Sequence, residues 1–161
     1  MRIDTTMTAN VSSPTRLFTV REANAALPLV RAITQDLVRD ACDLVDRRDR
    51  LQVLLTGRRL TAGNPYDDEL AQMGEDLERD ANRIREYIEE LEQLGVELKS
   101  ATDGLVDFPG ILEGRHVYFC WKLGEAEVSH WHEIDAGFAS RKPLASVSTR
   151  NQTPSRSTFL C

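Results

Sequence analysis

The chain holds two histidines whose spacing suits metal binding. His130 and His132 flank Trp131 in a stretch that alternates in the manner of a β-strand. Residues two apart on a strand point to the same face and lie about 7 Å apart along the backbone. One zinc, iron or copper ion could therefore bind both imidazoles. The alternative is that the two rings are partly buried and bonded to backbone carbonyls.

Four neighbouring side chains could supply a third ligand to this metal: His116 and Cys120 on the preceding strand, and Glu133 and Asp135 beside the histidines. On a regular strand the two carboxylates point away from the histidines, so a β-bulge would be needed to bring them round. The sequence leaves the choice among the four open.

The same residues allow other chemistry. Cys120 could be a nucleophile activated by a histidine, although a cysteine in the centre of a strand is more often a small buried hydrophobe. Asp107 and Glu133 could form an acid/base pair. Arg141 could clamp an anionic ligand or tie the last turn to a carboxylate, and we favour the second interpretation.

The pairing of the last two long strands determines what surrounds the histidines. The predicted strands are 115–123 and 128–134, joined by a turn at 124–127. Pairing Leu123 with Val128 matches apolar ends and places Trp121 beside His130 and Phe119 beside His132. The histidines would then lie on an aromatic face, which would also suit haem.

A long helical hairpin precedes this β region. Thr19 and Glu22 form a capping-box pattern at a helix start, and Pro28 predicts a break or kink after a short helix at 20–26. A longer helix should run from about Pro28 to residue 55, and a second from Asp67 to residue 94, each with an apolar stripe. We expect the helices to pack antiparallel in a coiled-coil-like seam, with Arg47 near Asp76 or Asp80 and Asp40 near Arg83.

The predicted fold class is α+β, with the long antiparallel helical hairpin followed by a small antiparallel β-sheet. The domain spans 17–144, with the hairpin at 20–94 and the β region at 95–144. The segments 1–16 and 145–161 are polar and lack periodicity, so we expect disordered tails.

Composition excludes several classes of protein. The net charge of −6 disfavours a nucleic-acid binder, and no apolar run is long enough for a membrane helix. The three cysteines include no CxxC pair, which argues against a zinc ribbon. We expect a cytoplasmic protein that forms a homo-oligomer through the helical hairpin.

Five segments of the sequence are distinctive. They lie around Phe18 to Pro28 and at 94–99 (LGVELK), 104–109 (GLVDFP), 117–125 (VYFCWKLGE) and 131–138 (WHEIDAGF). These segments resemble the domain-of-unknown-function family 2203 of bacterial and archaeal proteins. The resemblance implies no settled activity. His130 departs from the family pattern, which has an aromatic residue there, so the resemblance favours His132 as the central residue. The residues that match the pattern are Asp107, Cys120, Trp121, His132, Glu133, Asp135, Gly137 and Arg141.

Our first hypothesis is a ligand- or metal-binding protein with a transition-metal ion, zinc or iron, or haem at a site on the sheet. The second is an interaction module in which the hairpin dimerises and no cofactor is bound. The third is an enzyme with a His/Glu/Asp acid-base site. The first hypothesis assigns the metal to His132, His130 and His116, and ligand contacts to Trp121, Glu133, Asp135, Arg141, Asp107 and Cys120.

Overall fold

The computed structural model describes residues 15–144 as two helices followed by one antiparallel sheet. The predicted tails lie outside the described residues, apart from Thr15 and Arg16. All neighbouring strands are antiparallel, in the order β1-β2-β3-β4-β5. The α+β prediction is confirmed. The elements are α1 Val20–Leu55, α2 Pro65–Gln93, β1 Glu97–Ser100, β2 Leu105–Leu112, β3 Arg115–Lys122, β4 His130–Glu133, a short 3-10 helix Phe138–Ser140, and β5 Lys142–Pro143.

Helix α1 begins at the predicted capping box. The Thr19 hydroxyl accepts a hydrogen bond from the Glu22 N–H at 3.2 Å, and the Glu22 carboxylate accepts one from the Thr19 N–H at 2.8 Å. Two N–H groups at the helix start, which have no partner within the helix, are satisfied in this way.

The helix then continues through Pro28, so the predicted break there is wrong. Proline lacks an N–H and leaves the carbonyl of Asn24 without its helical donor. Ala23 and Leu27 before the proline and Val30 after it are all buried in the core. This packing offsets the local cost, because tertiary contacts override helix propensity.

The two helices form the predicted antiparallel hairpin. Asn64 caps α2, which begins at Pro65, two residues before the predicted start. Arg47 of α1 forms an ion pair with Asp80 of α2, as predicted. Asp40 instead pairs with its neighbour Arg39. Outside the main core, the buried apolar residues of the helices are Val38, Ala41, Leu51, Leu70 and Ile84.

Strands β2 and β3 form a hairpin closed by a two-residue turn. Glu113 and Gly114 both have positive φ, 51° and 77°. Two positive φ values in succession are typical of a type I′ turn, whose twist matches that of the flanking strands. The turn sets the register, and Asp107 of β2 lies directly opposite Cys120 of β3.

The register between β3 and β4 differs from the prediction by one residue. His132 lies opposite Tyr118 rather than Phe119, and His130 lies opposite Cys120. A shift of one residue moves every side chain of a strand to the other face. The histidines therefore lie on the opposite face from the one that the sequence predicts.

Asn24 of α1 accounts for this difference. The predicted strand begins at Val128, but the Val128 N–H donates to the Asn24 side-chain oxygen at 2.8 Å. The Asn24 amide in turn donates to the Val128 carbonyl at 3.2 Å. These bonds to the helix replace strand pairing with Leu123, so β4 starts only at His130.

The sheet has two different faces. One packs against α1 and α2 and forms the main core, together with Val128 from the loop. The other carries Asp107, Cys120 and His132, and residues 134–141 return beside it. The buried strand residues of the core face are Val106, Phe108, Val117, Phe119 and Trp121.

Within residues 15–144, no helix has both the length and the apolar run that crossing a bilayer requires. The predicted homo-oligomer and cytoplasmic location stay predictions.

Candidate metal centre

Three buried polar side chains meet beside the centre of the sheet. Asp107, Cys120 and His132 are 3%, 1% and 3% exposed. A carboxylate oxygen, the thiol sulfur and a ring nitrogen all lie within 4.8 Å of one another. Ligands of a tetrahedral zinc ion lie about 3.3–3.8 Å apart, given zinc bond lengths of about 2.0–2.3 Å. Shifts of about 1 Å or less would therefore bring the three atoms into coordination distance of one ion.

Each of the three residues belongs to a different strand. Asp107 on β2 faces Cys120 on β3 directly. His132 on β4 lies one diagonal step from Cys120, since its partner on β3 is Tyr118. Diagonal neighbours on one face of a sheet are within reach of a long side chain. Three paired strands thus hold the donor atoms on a rigid scaffold.

The hydrogen bonds of His132 fix its orientation. Nδ1 lies 2.9 Å from the backbone carbonyl of Glu133, and Nε2 lies 2.9 Å from a carboxylate oxygen of Asp107. A carbonyl oxygen cannot donate, so Nδ1 carries a proton and donates it. This is the usual second contact of a histidine that binds a metal through Nε2.

Burial holds the Cys120 side chain in the thiol form. It raises the pKa of the Cys120 thiol to about 12; the negative charge of Asp107 adds to the rise, and the Arg141 guanidinium opposes it. A nucleophilic cysteine needs a depressed pKa. The structure therefore gives no support to the interpretation of Cys120 as an activated nucleophile.

Burial also raises the pKa of Asp107, against the opposing effects of His132 and Lys99. A buried carboxylate is costly unless it is paired or binds a metal. Asp107 and His132 each offset part of the other's cost of burial, and a cation between them would offset that cost for both.

A cavity of about 260 Å³ adjoins this cluster. Asp107 and His132 lie in its wall, and Tyr118 and Phe138 form part of its sides. Phe138 belongs to the segment after β4, which an ion pair between Arg141 and Glu125 at 2.6 Å attaches to the turn after β3. The cluster thus has a covered face with space for a small molecule.

The model of one protein family, described as an uncharacterized conserved protein family, DUF2203, matches residues 16–144. The chain belongs to DUF2203. The match covers nearly all of the described chain and includes the three clustered residues. No curated protein and no solved structure matches it significantly, so the chemistry of this DUF2203 protein must be argued from its own residues.

Of the three histidines predicted as metal ligands, only His132 belongs to the cluster. The His130 ring bonds the Ser129 hydroxyl through Nδ1 at 3.0 Å. His116 is exposed and lines a separate surface groove. The group of three donor atoms that lie close together thus takes one residue from each of three strands, and it contains one of the two histidines of β4.

The other predicted ligand contacts of the DUF2203 chain are spread around the cluster. Trp121 is buried in the main core, with its indole N–H bonded to the Glu125 carbonyl. Glu133 forms ion pairs at the surface and is not paired with Asp107. Asp135 is exposed in a turn. Arg141 ties its segment to a carboxylate, as we favoured.

The haem interpretation required the histidines to lie beside Trp121 and Phe119. The observed register places those two side chains on the helix-facing side, away from His132. The aromatic residues beside His132 are instead Tyr118 and Phe138.

Sequence reasoning missed Lys99 and Phe138, which line the cavity. It also missed the meeting of Asp107 with Cys120, although one signal was present. The Glu113-Gly114 turn implies that Leu112 faces Arg115, and counting back from this pair places Asp107 opposite Cys120.

Proposed function

We propose that this DUF2203 protein is a metal-binding protein, with Asp107, Cys120 and His132 as the ligands of a single divalent transition-metal ion. The observation that carries the proposal is the meeting of three different buried donor atoms within 4.8 Å of one another. Asp107 and His132 offset only part of each other's cost of burial, and a bound cation would offset more of it.

The chemistry of the donor set favours zinc. A thiolate, an imidazole nitrogen and a carboxylate oxygen are the ligands that zinc binds in proteins. Magnesium and calcium prefer oxygen ligands alone, and the thiolate disfavours them. Iron accepts the same donors, so metal analysis must distinguish the two ions.

The state of His132 supports the same proposal. Its Nδ1–H donates to the Glu133 carbonyl, which directs the Nε2 lone pair toward Asp107. In a metal-bound form, the ion would replace the proton that Asp107 and Nε2 share. Since the second contact of the ring is already in place, little reorganisation of His132 is needed.

The test is metal analysis of protein purified without added metal, followed by loading with Zn²⁺ or Co²⁺. We expect one metal ion per chain. Cobalt should give an intense near-ultraviolet band from the Cys120 thiolate and visible bands of a four-coordinate ion. His132→Ala and Cys120→Ser should each lose stoichiometric binding, and Cys120→Ser should also lose the thiolate band.

His130→Ala is the matched control, because it removes an imidazole from the same strand, two residues away and outside the cluster. It should bind metal as the unmodified protein does. A folded protein that takes up no stoichiometric zinc, cobalt or iron would refute the proposal. Equal loss of binding in His130→Ala and His132→Ala would show that the ligand set is wrong.

A further inference from the structure

The cavity beside the cluster lies on the side where the metal would have a free position. Asp107 and His132 line the cavity, whereas Cys120 does not. Three protein ligands leave the fourth position of a tetrahedral ion open to water or substrate. With Cys120 behind the ion and the other two ligands in the cavity wall, that fourth position faces the cavity.

The polar groups around this position suit a carboxylate. A divalent ion there would be balanced by the Asp107 carboxylate and the Cys120 thiolate, and His132 would add no charge as a neutral ligand. Lys99 is the other charged side chain in the cavity wall. Its ammonium group forms one ion pair, with Glu97 at 2.6 Å, and has further N–H donors to offer.

The remaining walls are largely apolar and limit the size of the ligand. The cavity volume of about 260 Å³ gives room for a small organic ligand. The apolar or aromatic wall residues are Leu105, Tyr118, Ile134, Ala136 and Phe138.

We propose that the cavity binds a small apolar or aromatic monocarboxylate. One carboxylate oxygen takes the open position on the metal, and the other accepts a hydrogen bond from Lys99. The apolar body lies between Tyr118 and Phe138. This inference rests on the proposed metal site and adds the class of ligand that the site accepts.

The test is a titration of the cobalt-loaded protein with benzoate, using the visible bands of cobalt as the readout. Benzoate should change these bands and saturate, because it enters the coordination sphere. Benzamide has the same shape without the charge, and acetate has the charge without the ring. We expect both to bind at least about 10-fold more weakly than benzoate.

Substitutions test two contacts separately: that of the carboxylate with Lys99 and that of the apolar body with Phe138. Lys99→Met should weaken benzoate binding about 10-fold, the order expected for one charge-assisted hydrogen bond, with the cobalt content unchanged. Lys142→Met is the matched control; Lys142 lies on β5 against Trp131 and does not line the cavity. Phe138→Ala should weaken benzoate more than acetate.

The outcomes separate the two proposals. Failure to bind cobalt would overturn the metal site and this inference with it. Cobalt bands that appear but do not respond to benzoate would overturn the ligand class alone. Equal binding of benzoate and benzamide, or equal effects of Lys99→Met and Lys142→Met, would overturn the role given to the carboxylate charge and to Lys99.

Discussion

Asp107 and Cys120 each carry a buried titratable group whose pKa is raised by burial. Asp107 shares a hydrogen bond of 2.9 Å with His132, and Cys120 keeps its proton. A divalent ion would displace the Cys120 proton, since metal ligation requires the thiolate. On the proposed function, metal binding should therefore weaken as the pH falls.

The Cys120 thiol provides the first prediction. With its pKa at about 12 and 1% exposure, the metal-free native protein should alkylate at Cys120 at least about 100-fold more slowly at pH 8 than the unfolded chain does. The rate should still be rising at pH 10 to 11, because the thiolate fraction has not saturated. Iodoacetamide labelling followed by mass spectrometry of the Cys120 peptide measures this rate. A plateau near pH 8 would contradict the assigned thiol state.

Substitutions of Asp107 separate its structural role from its role as a ligand. Asp107→Ala leaves Nε2 of His132 buried without a partner and should destabilise the metal-free protein by about 1–3 kcal/mol. Asp107→Asn can donate an N–H to Nε2 and should cost less. Urea unfolding in the presence of a chelator measures both. Both variants should bind zinc weakly, and an Asp107→Asn protein that binds zinc normally would exclude the carboxylate as a ligand.

At the scale of elements, one side chain of α1 determines where strand β4 begins. The Asn24 amide bonds both backbone groups of Val128, a residue 104 positions later in the chain. These bonds hold Val128 in the core and delay the start of β4 to His130. Asn24 therefore sets the register that brings His132 to Asp107.

Asn24→Ala tests this role. The substitution leaves the buried N–H and carbonyl of Val128 without their partner, so we expect a loss of about 2–3 kcal/mol in the free energy of unfolding. Zinc affinity should also fall, because β4 loses its anchor. Asn82→Ala, at an exposed position of α2, is the control and should change both quantities little. Normal stability of the Asn24→Ala protein would show that Asn24 does not hold Val128 and does not set the start of β4.

Replacing Pro28 should raise the free energy of unfolding, whereas replacing Asn24 should lower it. It is exposed inside a continuous helix, so replacement by alanine creates no cavity and restores a hydrogen bond to the Asn24 carbonyl. Pro28→Ala should stabilise the protein by about 1–3 kcal/mol, somewhat less than the full helix cost of proline, because proline also restricts the unfolded chain. Urea unfolding measures the change, and destabilisation would show that the proline fits the native helix without strain.

Local sequence signals predicted the elements well and their long-range relations poorly. The capping box at Thr19, the Glu113-Gly114 turn and the alternation of β3 are all short-range patterns, and the structure contains each of them. The continuity of α1 through Pro28 and the register of β4 depend on contacts between distant residues. No period or turn residue encodes these two features, so the sequence does not predict that His132 meets Asp107. The Glu113-Gly114 turn does encode the pairing of Asp107 with Cys120.

At the scale of the whole molecule, one core joins the hairpin to the sheet. The buried cluster contains Leu27, Val30 and Leu37 of α1, Leu91 of α2, and the apolar face of β2 and β3. The cluster of Asp107, Cys120 and His132 lies on the opposite face of the sheet. Since the two faces share a backbone, an ion that holds β2, β3 and β4 together should stabilise the helices as well.

This coupling predicts a cooperative response to zinc. At a free zinc concentration 100 times Kd, binding to the native state alone adds about 2.7 kcal/mol, which corresponds to a rise in Tm on the order of 10 °C for a domain of this size. The melting temperatures measured by far-ultraviolet circular dichroism, which reports mainly the helices, and by tryptophan fluorescence, which reports the core at Trp121 and strand β4 at Trp131, should rise by the same amount. His130→Ala should keep the shift and His132→Ala should lose it. A rise seen by fluorescence alone would mean that zinc orders the sheet locally without stabilising the fold, because the shared core would then not transmit the binding energy to the hairpin.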